Sequence, residues 1–399
     1  METTTSSLPL DGYNVLDLSR FIAGPTCAQI LGDFGAEVIK VERPGGEDAR
    51  HHQPYYRGES VYTMLYNRNK YGVSLDTRHP EALAILEDLI RWADIVVENY
   101  RPGTLAQMGI GYSRMKELND DIILVSISGF GQTGPDSRRA LFDAIAQASS
   151  GLMSITGDED GQPMLAGTYV ADYTTGYQAA LGCFAAVVHH QRTGEGQLVD
   201  VASLDSMFAM LGTRLIAHLM LDMDMPRSGN RDLLTAPVNV YDCADGSVYI
   251  QAGTNPLFPK LCAAIGRLDL LERPELLTVP GRMQHARELE SYIAEWAKTR
   301  SAATIGAELD AAGVPYSKIS TVAEVAASPQ IQAREMIVNI DHPTLGPLQI
   351  PGIPIKMDRS APTVRKAPPL VGEDNDDVYS RVLGFSAERI ERLREAGAI

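Results

Sequence analysis

Cysteine is scarce: Cys27, Cys183, Cys243 and Cys262 are spread over 399 residues with no CxxC pair and no histidine at ligand spacing. That pattern excludes a disulfide framework and points to no metal site, so the four read as small core residues in a reducing compartment. Positive charge is also short, 35 Lys and Arg against 51 Asp and Glu, and the net charge of −16 repels a nucleic-acid duplex or an anionic membrane over most of the surface. No stretch approaches the ~20 apolar residues of a membrane span. The start METTTSSLPLDGYNV carries neither a basic nor an apolar leader segment, and the expected location is the cytoplasm. The dinucleotide fingerprint G-x-G-x-x-G is missing too, which removes the main support for a nicotinamide-dependent dehydrogenase. What remains is an ordinary globular balance, 44% hydrophobic and 22% charged, in a chain long enough for two domains.

Periodicity predicts an alternation of strands and helices in the first half. Strands are expected over Asn14 to Leu18, Ala36 to Glu42, Asp94 to Glu98, Ile122 to Ser128 and Gln197 to Ala202, with helices over Thr26 to Gly32 and Pro80 to Trp92. This is the pattern of a Rossmann-like α/β domain with a parallel sheet. A helix of about twenty residues is expected from near Asp172 to Arg192, stopped by Thr193-Gly194. A Met-rich helix is expected over Leu204 to Met223, its methionines serving as core or subunit-contact packing. A linker follows over Met225 to Arg231. Beyond it, Asp245-Gly246 predicts a hairpin, and helices are expected over Glu288 to Lys298, Ala302 to Ala312 and Ala387 to Ala396. The expected division is residues 1–223 as a large ligand-binding domain, 224–330 as linker and a smaller α+β domain, and 331–399 returning to the large domain.

Between Val38 and Pro80 seven basic residues (Lys40, Arg43, Arg50, Arg57, Arg68, Lys70, Arg78) outnumber five acids, a local inversion of sign that suits a ligand with several phosphates. The pairs His51-His52 and His189-His190 lack ligand spacing and receive no role.

The strings LDGYNVLDLSRFIAGP, GAEVIKVERPGG, NRNKYGVSLD, ADIVVENYRPG, ISGFGQTGP, FDAIAQASSGLMSITG and RTGEGQLVDVASLDSM occur in that order. Together they resemble the family III (CaiB/BaiF) CoA-transferases, the formyl-CoA and carnitine-CoA transferase group, strongly over residues 8 to 255 and loosely beyond. The resemblance implies an enzyme with acyl-CoA and a small carboxylic acid as substrates, no permanently bound cofactor, and an interlocked homodimer. It implies Asp172, in Asp172-Tyr173-Thr174-Thr175-Gly176, as the nucleophile. CoA contacts carry over to Phe21, Ala23, Arg43, Leu75, Arg78, Asn99 and Tyr100, and Phe142 falls where an aromatic residue lies near the pantetheine. Gln107 and Ala140 depart from the formyl-CoA enzyme's basic residues, with Arg139 beside the second. The tetraglycine loop of that enzyme is absent, Gly253 in QAGTN standing alone, so formyl-CoA and oxalate lose support as the substrate pair.

A carboxylate is the right nucleophile for such chemistry, because its attack on a thioester gives a mixed anhydride that conserves the thioester's energy. A place at a helix start is expected to favour the ionised form of Asp172. Taken alone, an aspartate there is more often a cap. The α-methylacyl-CoA racemases share the implied fold but carry a histidine in a GHD motif where this chain reads Leu141-Phe142-Asp143, and phenylalanine cannot transfer a proton. A non-catalytic CoA-binding protein is the remaining alternative, and an aspartate at 172 argues against it.

Overall fold

The computed structural model describes residues 7–399. They divide into two compact units, residues up to Leu152 with Ala166–Leu211 and Pro329–Ile399 in the larger, Met153–Leu165 with Gly212–Ser328 in the smaller. Against the expected boundaries at 223 and 330, the chain crosses at Leu211–Gly212 and Ser328–Pro329, and Met153–Leu165 joins the smaller unit.

The larger unit is built on six parallel strands: β1 (Asn14–Asp17), β2 (Glu37–Glu42), β3 (Lys70–Ser74), β4 (Ile95–Glu98), β5 (Ile123–Ser128) and β6 (Leu198–Ala202). Their spatial order is β3-β2-β1-β4-β5-β6. Successive strand residues face opposite sides and both sides of the central strands are covered, which is why those strands are largely apolar. Leu16, Ile39, Val96 and Leu124 pack on one face with Ile85 and Leu89 and with Tyr379 from the C-terminal segment. Val15, Val38, Val97 and Val125 pack on the other with Cys27, Leu31, Ala179 and Cys183. Strand β3 was not expected, because it opens on a lysine and contains a glycine.

The helices that matter for the site are α1 (Ala23–Asp33), α2 (Val61–Tyr66), α3 (Ala82–Trp92), α4 (Asp143–Ser149), α5 (Val170–Thr193) and α6 (Ser203–Ala209). Helix α5 packs on α1 so closely that a Cβ at Gly176 would lie 2.7 Å from the Ala23 carbonyl oxygen. Glycine four residues after Asp172 is therefore what lets the start of α5 sit beside the start of α1. Gly194, at φ +74, closes α5 as expected. The strand order reverses direction between β1 and β4, and in open α/β sheets ligands bind beyond the carboxyl ends of the strands at such a point.

The smaller unit holds a three-stranded antiparallel sheet, β7 (Val238–Cys243), β8 (Gly246–Gln251) and β9 (Tyr316–Lys318). Its helices include α7 (Thr213–Leu221), α8 (Ala286–Lys298) and α9 (Ala302–Ala312). The single helix expected over Leu204 to Met223 is corrected to two, α6 and α7, broken where Gly212 takes φ +56. Apolar residues resume at Leu215 after Gly212-Thr213-Arg214, and a lone glycine inside a helical pattern did not mark the stop. Of its methionines, Met207 is buried while Met210, Met220 and Met223 are exposed. Among the described residues, no single helix is long and apolar enough to cross a membrane.

Candidate active site

At the switch point the chain leaves β1 through Ser19, Arg20, Phe21 and Ile22 before α1 begins. Phe21 adopts φ +63, a left-handed conformation that is unfavourable for a bulky side chain and that persists only when its surroundings impose it. Those surroundings are explicit. The Phe21 N–H donates to Glu47 Oε2 at 2.8 Å, the Arg20 N–H donates to Asn99 Oδ1 at 2.8 Å, and Asn99 Nδ2 donates back to the Arg20 carbonyl at 2.7 Å. Glu47 is in turn paired with the fully buried Lys40 at 3.1 Å, and Lys40 Nζ donates to the Ser19 carbonyl at 2.8 Å. Deeper still, the buried Lys70 donates to Asp17 Oδ2 (2.8 Å), the Pro25 carbonyl (2.9 Å) and Asn67 Oδ1 (3.0 Å).

This turn borders an open cleft whose walls include Phe21, Ala23, Asn99, Tyr100, Arg139, Phe142 and Asp172. A second cleft is bordered by Arg43 and Leu75, and Tyr100 and Arg20 line both. Of the candidate residues only Arg78 lies outside these walls; its side chain is 89% exposed and pairs with Asp76 at 3.0 Å. Arg20 was not among the expected contacts, although it adjoins Phe21 in the sequence. Its guanidinium stands 5.2 Å from the Tyr100 ring centre and 5.9 Å from that of Phe21. Asn99, by contrast, commits its amide to the Arg20 backbone and so shapes the wall of the cleft.

Asp172 does not cap α5. The helix starts two residues earlier, and among the described residues no donor reaches the Asp172 carboxylate, which is half-buried. The backbone N–H groups of Ala171 and Asp172 instead donate to Asp143 Oδ1, at 2.8 and 3.1 Å. Burial pushes the Asp172 carboxyl up to about 7, and the charge of Asp143 adds to the shift. The expected lowering at the helix start is therefore corrected: burial, with the like charge of Asp143, raises the Asp172 carboxyl instead. Tyr62 and Tyr66 on α2 lie close enough to feel it, both raised first by burial, with Asp172 among the further causes.

The model of CoA-transferase family III matches residues 10–375. The succinyl-CoA–D-citramalate CoA-transferase of Chloroflexus aurantiacus is 34% identical over 392 residues, 97% of each chain. The human succinyl-CoA:glutarate CoA-transferase is 34% identical over 393 residues, 98% of this chain and 90% of that one. The crystal structure of a CaiB/BaiF family protein from Brucella suis superposes with a TM-score of 0.85 at 32% identity, covering 94% of this chain and 100% of the other. The chain belongs to CoA-transferase family III.

The resemblance seen in the motif strings is thus confirmed, and with it an enzyme that handles CoA thioesters. One expectation for this family III enzyme is corrected. Of the seven basic residues between Val38 and Pro80, Lys40, Arg50, Arg68 and Lys70 are buried. Arg50 makes a double hydrogen bond to Glu42 (2.8 and 2.7 Å) and Arg68 another to Asp33 (2.9 and 2.7 Å). These four cations neutralise interior carboxylates, so they are not part of a phosphate patch. Phe142 keeps its ring 66% exposed, edge-on to Phe21 at 5.8 Å, and offers no group for proton transfer.

Proposed function

We propose that the protein moves CoA from an acyl-CoA thioester to a carboxylic acid through covalent intermediates on Asp172. The observation that carries this is an uncapped, half-buried carboxyl on the wall of a cleft at the switch point of the sheet. The carboxylate attacks the thioester carbonyl and expels CoA thiolate, leaving an acyl–aspartyl anhydride. The thiolate attacks the aspartyl carbonyl of that anhydride, releasing the first acid and leaving an aspartyl–CoA thioester. An acceptor carboxylate displaces the thiolate to form a second anhydride, and attack of the thiolate on the new acyl carbon yields product and free Asp172. The nucleotide end of CoA is proposed to lie by Arg43 and Leu75, with Arg78 at its exposed margin. The pantetheine would pass Tyr100, Asn99, Ala23 and Phe21 toward Phe142, with Arg139 beside it. Relatives named for succinyl-CoA support that thioester as the first donor to assay.

Asp172→Ala is expected to keep CoA binding, read by thermal shift, and to lose transfer by about 10³-fold or more. Hydroxylamine should yield an Asp172 hydroxamate in the wild type alone. With the carboxyl raised to about 7, only the anion attacks, so kcat/KM should climb tenfold per pH unit below about 7 and level off above it. An ordinary carboxyl would give a flat profile from about pH 5. Transfer by Asp172→Ala at the wild-type rate would end the proposal.

A homodimer is proposed on the apolar side chains left exposed along α5, Tyr177, Leu181 and Val188, and along α7, Ile216, Leu219 and Met220. A monomer mass by light scattering at micromolar concentration would refute it.

A further inference from the structure

Asp143 opens α4, yet its carboxylate serves another helix. The residue is 8% exposed. Its Oδ1 accepts both the Ala171 and Asp172 backbone N–H groups, at 2.8 and 3.1 Å, and α5 has no capping side chain of its own. Its Oδ2 accepts from Gln147 Nε2 at 2.6 Å. Gln147 is 1% exposed and turns its own Oε1 to the Ala166 N–H at 3.0 Å. Every side-chain polar atom of the Asp143–Gln147 pair is thereby engaged, and three backbone donors are fixed by it, Ala166 before α5 and Ala171 and Asp172 in its first turn. A charged acceptor at a helix start is ordinary. Here, though, the N–H it holds belongs to the residue proposed as nucleophile, and the acceptor leaves that residue's own carboxylate unoccupied.

We infer that Asp143 is a positioning residue for the transfer reaction, fixing the backbone of Asp172 and setting a second negative charge beside its carboxylate. The inference rests on the reading of Asp172 as the nucleophile. Its consequence is chemical. A neighbouring anion makes Asp172 more basic, and a more basic carboxylate is a stronger nucleophile once it is ionised. Tyr62 and Tyr66 from α2 feel the charge of Asp172, and Arg20, Arg101 and Arg139 lie on the walls of the same cleft. After burial itself, Asp143 is the group that raises the Asp172 carboxyl. A cap with a purely structural role would change stability and leave the pH profile where it was.

The test is CoA transfer from succinyl-CoA across pH 5 to 9 by wild type, Asp143→Asn, Asp143→Ala, Gln147→Ala and Asp172→Ala, with hydroxylamine trapping at Asp172 alongside. Asp143→Asn keeps an acceptor and loses the charge. Its profile should move down by about one pH unit, with KM for the donor changed less than about twofold. Asp143→Ala loses the acceptor as well, and kcat should fall about 10- to 100-fold with trapping reduced in proportion. Gln147→Ala keeps the charge but loosens its hold, so kcat should fall while the midpoint stays. That variant together with Asp143→Asn carries the test if Asp143→Ala does not fold. An unshifted midpoint in Asp143→Asn, with Asp172→Ala inactive, overturns the positioning role and leaves the nucleophile standing. An active Asp172→Ala overturns the nucleophile, and the positioning role falls with it.

Discussion

The two units bury positive charge in different ways. In the larger, Lys40, Lys70, Arg50 and Arg68 are each set against a carboxylate, and the Lys40–Glu47 pair holds the left-handed Phe21 turn. In the smaller, Arg282 is fully buried with neutral partners: it donates to the carbonyls of Ala236 (2.9 Å), Leu276 (2.9 Å) and Gly253 (2.8 Å) and to Asn255 Oδ1 (2.8 Å). Its guanidinium lies 4.9 Å from the Phe258 ring centre. Five donors on a planar head let one arginine tie three separate stretches of backbone together. A lysine–carboxylate pair tolerates burial because each charge answers the other. A lone guanidinium tolerates it because every donor has an acceptor. The first arrangement fails by stranding a charge and the second by orphaning carbonyls, and these failures differ in size.

Lys70→Met tests the larger failure. It keeps the apolar stem but leaves Asp17, which is fully buried, without its 2.8 Å partner. The expected loss is about 3–5 kcal/mol, read from the urea midpoint of the affected transition. Arg282→Met strands no charge and removes donors from four acceptors; the expected loss is smaller, about 2–3 kcal/mol. Arg282→Lys should recover only part of that, because an ammonium cannot span the same acceptors. Equal losses for Lys70→Met and Arg282→Met would break the distinction between stranded charge and orphaned carbonyls.

The same contrast explains what the sequence could reveal. Strands β1, β4 and β5 were legible because burial on both faces makes them largely apolar runs, and β2 and β6 because apolar residues dominate them despite Lys40 and Asp200. Strand β3 was not, because Lys70 is acceptable there only through Asp17, 53 residues away in sequence. The motif strings singled out Phe21 and Asp172 as candidates, and the glycine at 176 is explained by the contact with Ala23. The sequence could not tell that α5 takes its cap from Asp143, since the donor and acceptor lie 29 residues apart. Nor could it show that burial raises Asp172, an effect of tertiary surroundings alone. Counting basic residues between Val38 and Pro80 failed for a related reason: a count of charge does not say which charges already have partners.

Arg78 supplies the smallest and sharpest contrast with the buried cations. Its side chain is 89% exposed and, among the described residues, its ion pair is with Asp76, so removing it strands no buried charge. Arg78→Ala should leave the unfolding midpoint unchanged, whereas Lys70→Met lowers it. If Arg78 meets a phosphate of CoA at the margin of the cleft, its loss should weaken CoA binding by only about two- to fivefold, the scale of an exposed ion pair. Salt sharpens the reading, because a solvent-exposed contact is screened within about 10 Å at 0.1 M and less at higher strength. The difference in CoA affinity between Arg78→Ala and wild type should therefore shrink as salt is raised. Arg43→Ala gives the matched comparison, since Arg43 borders the second cleft and its guanidinium is held by Asp48 and the Gly46 carbonyl. A CoA affinity in Arg78→Ala equal to wild type at low salt, alongside a loss in Arg43→Ala, would remove Arg78 from the contact set and confine the nucleotide to the cleft that Arg43 and Leu75 border.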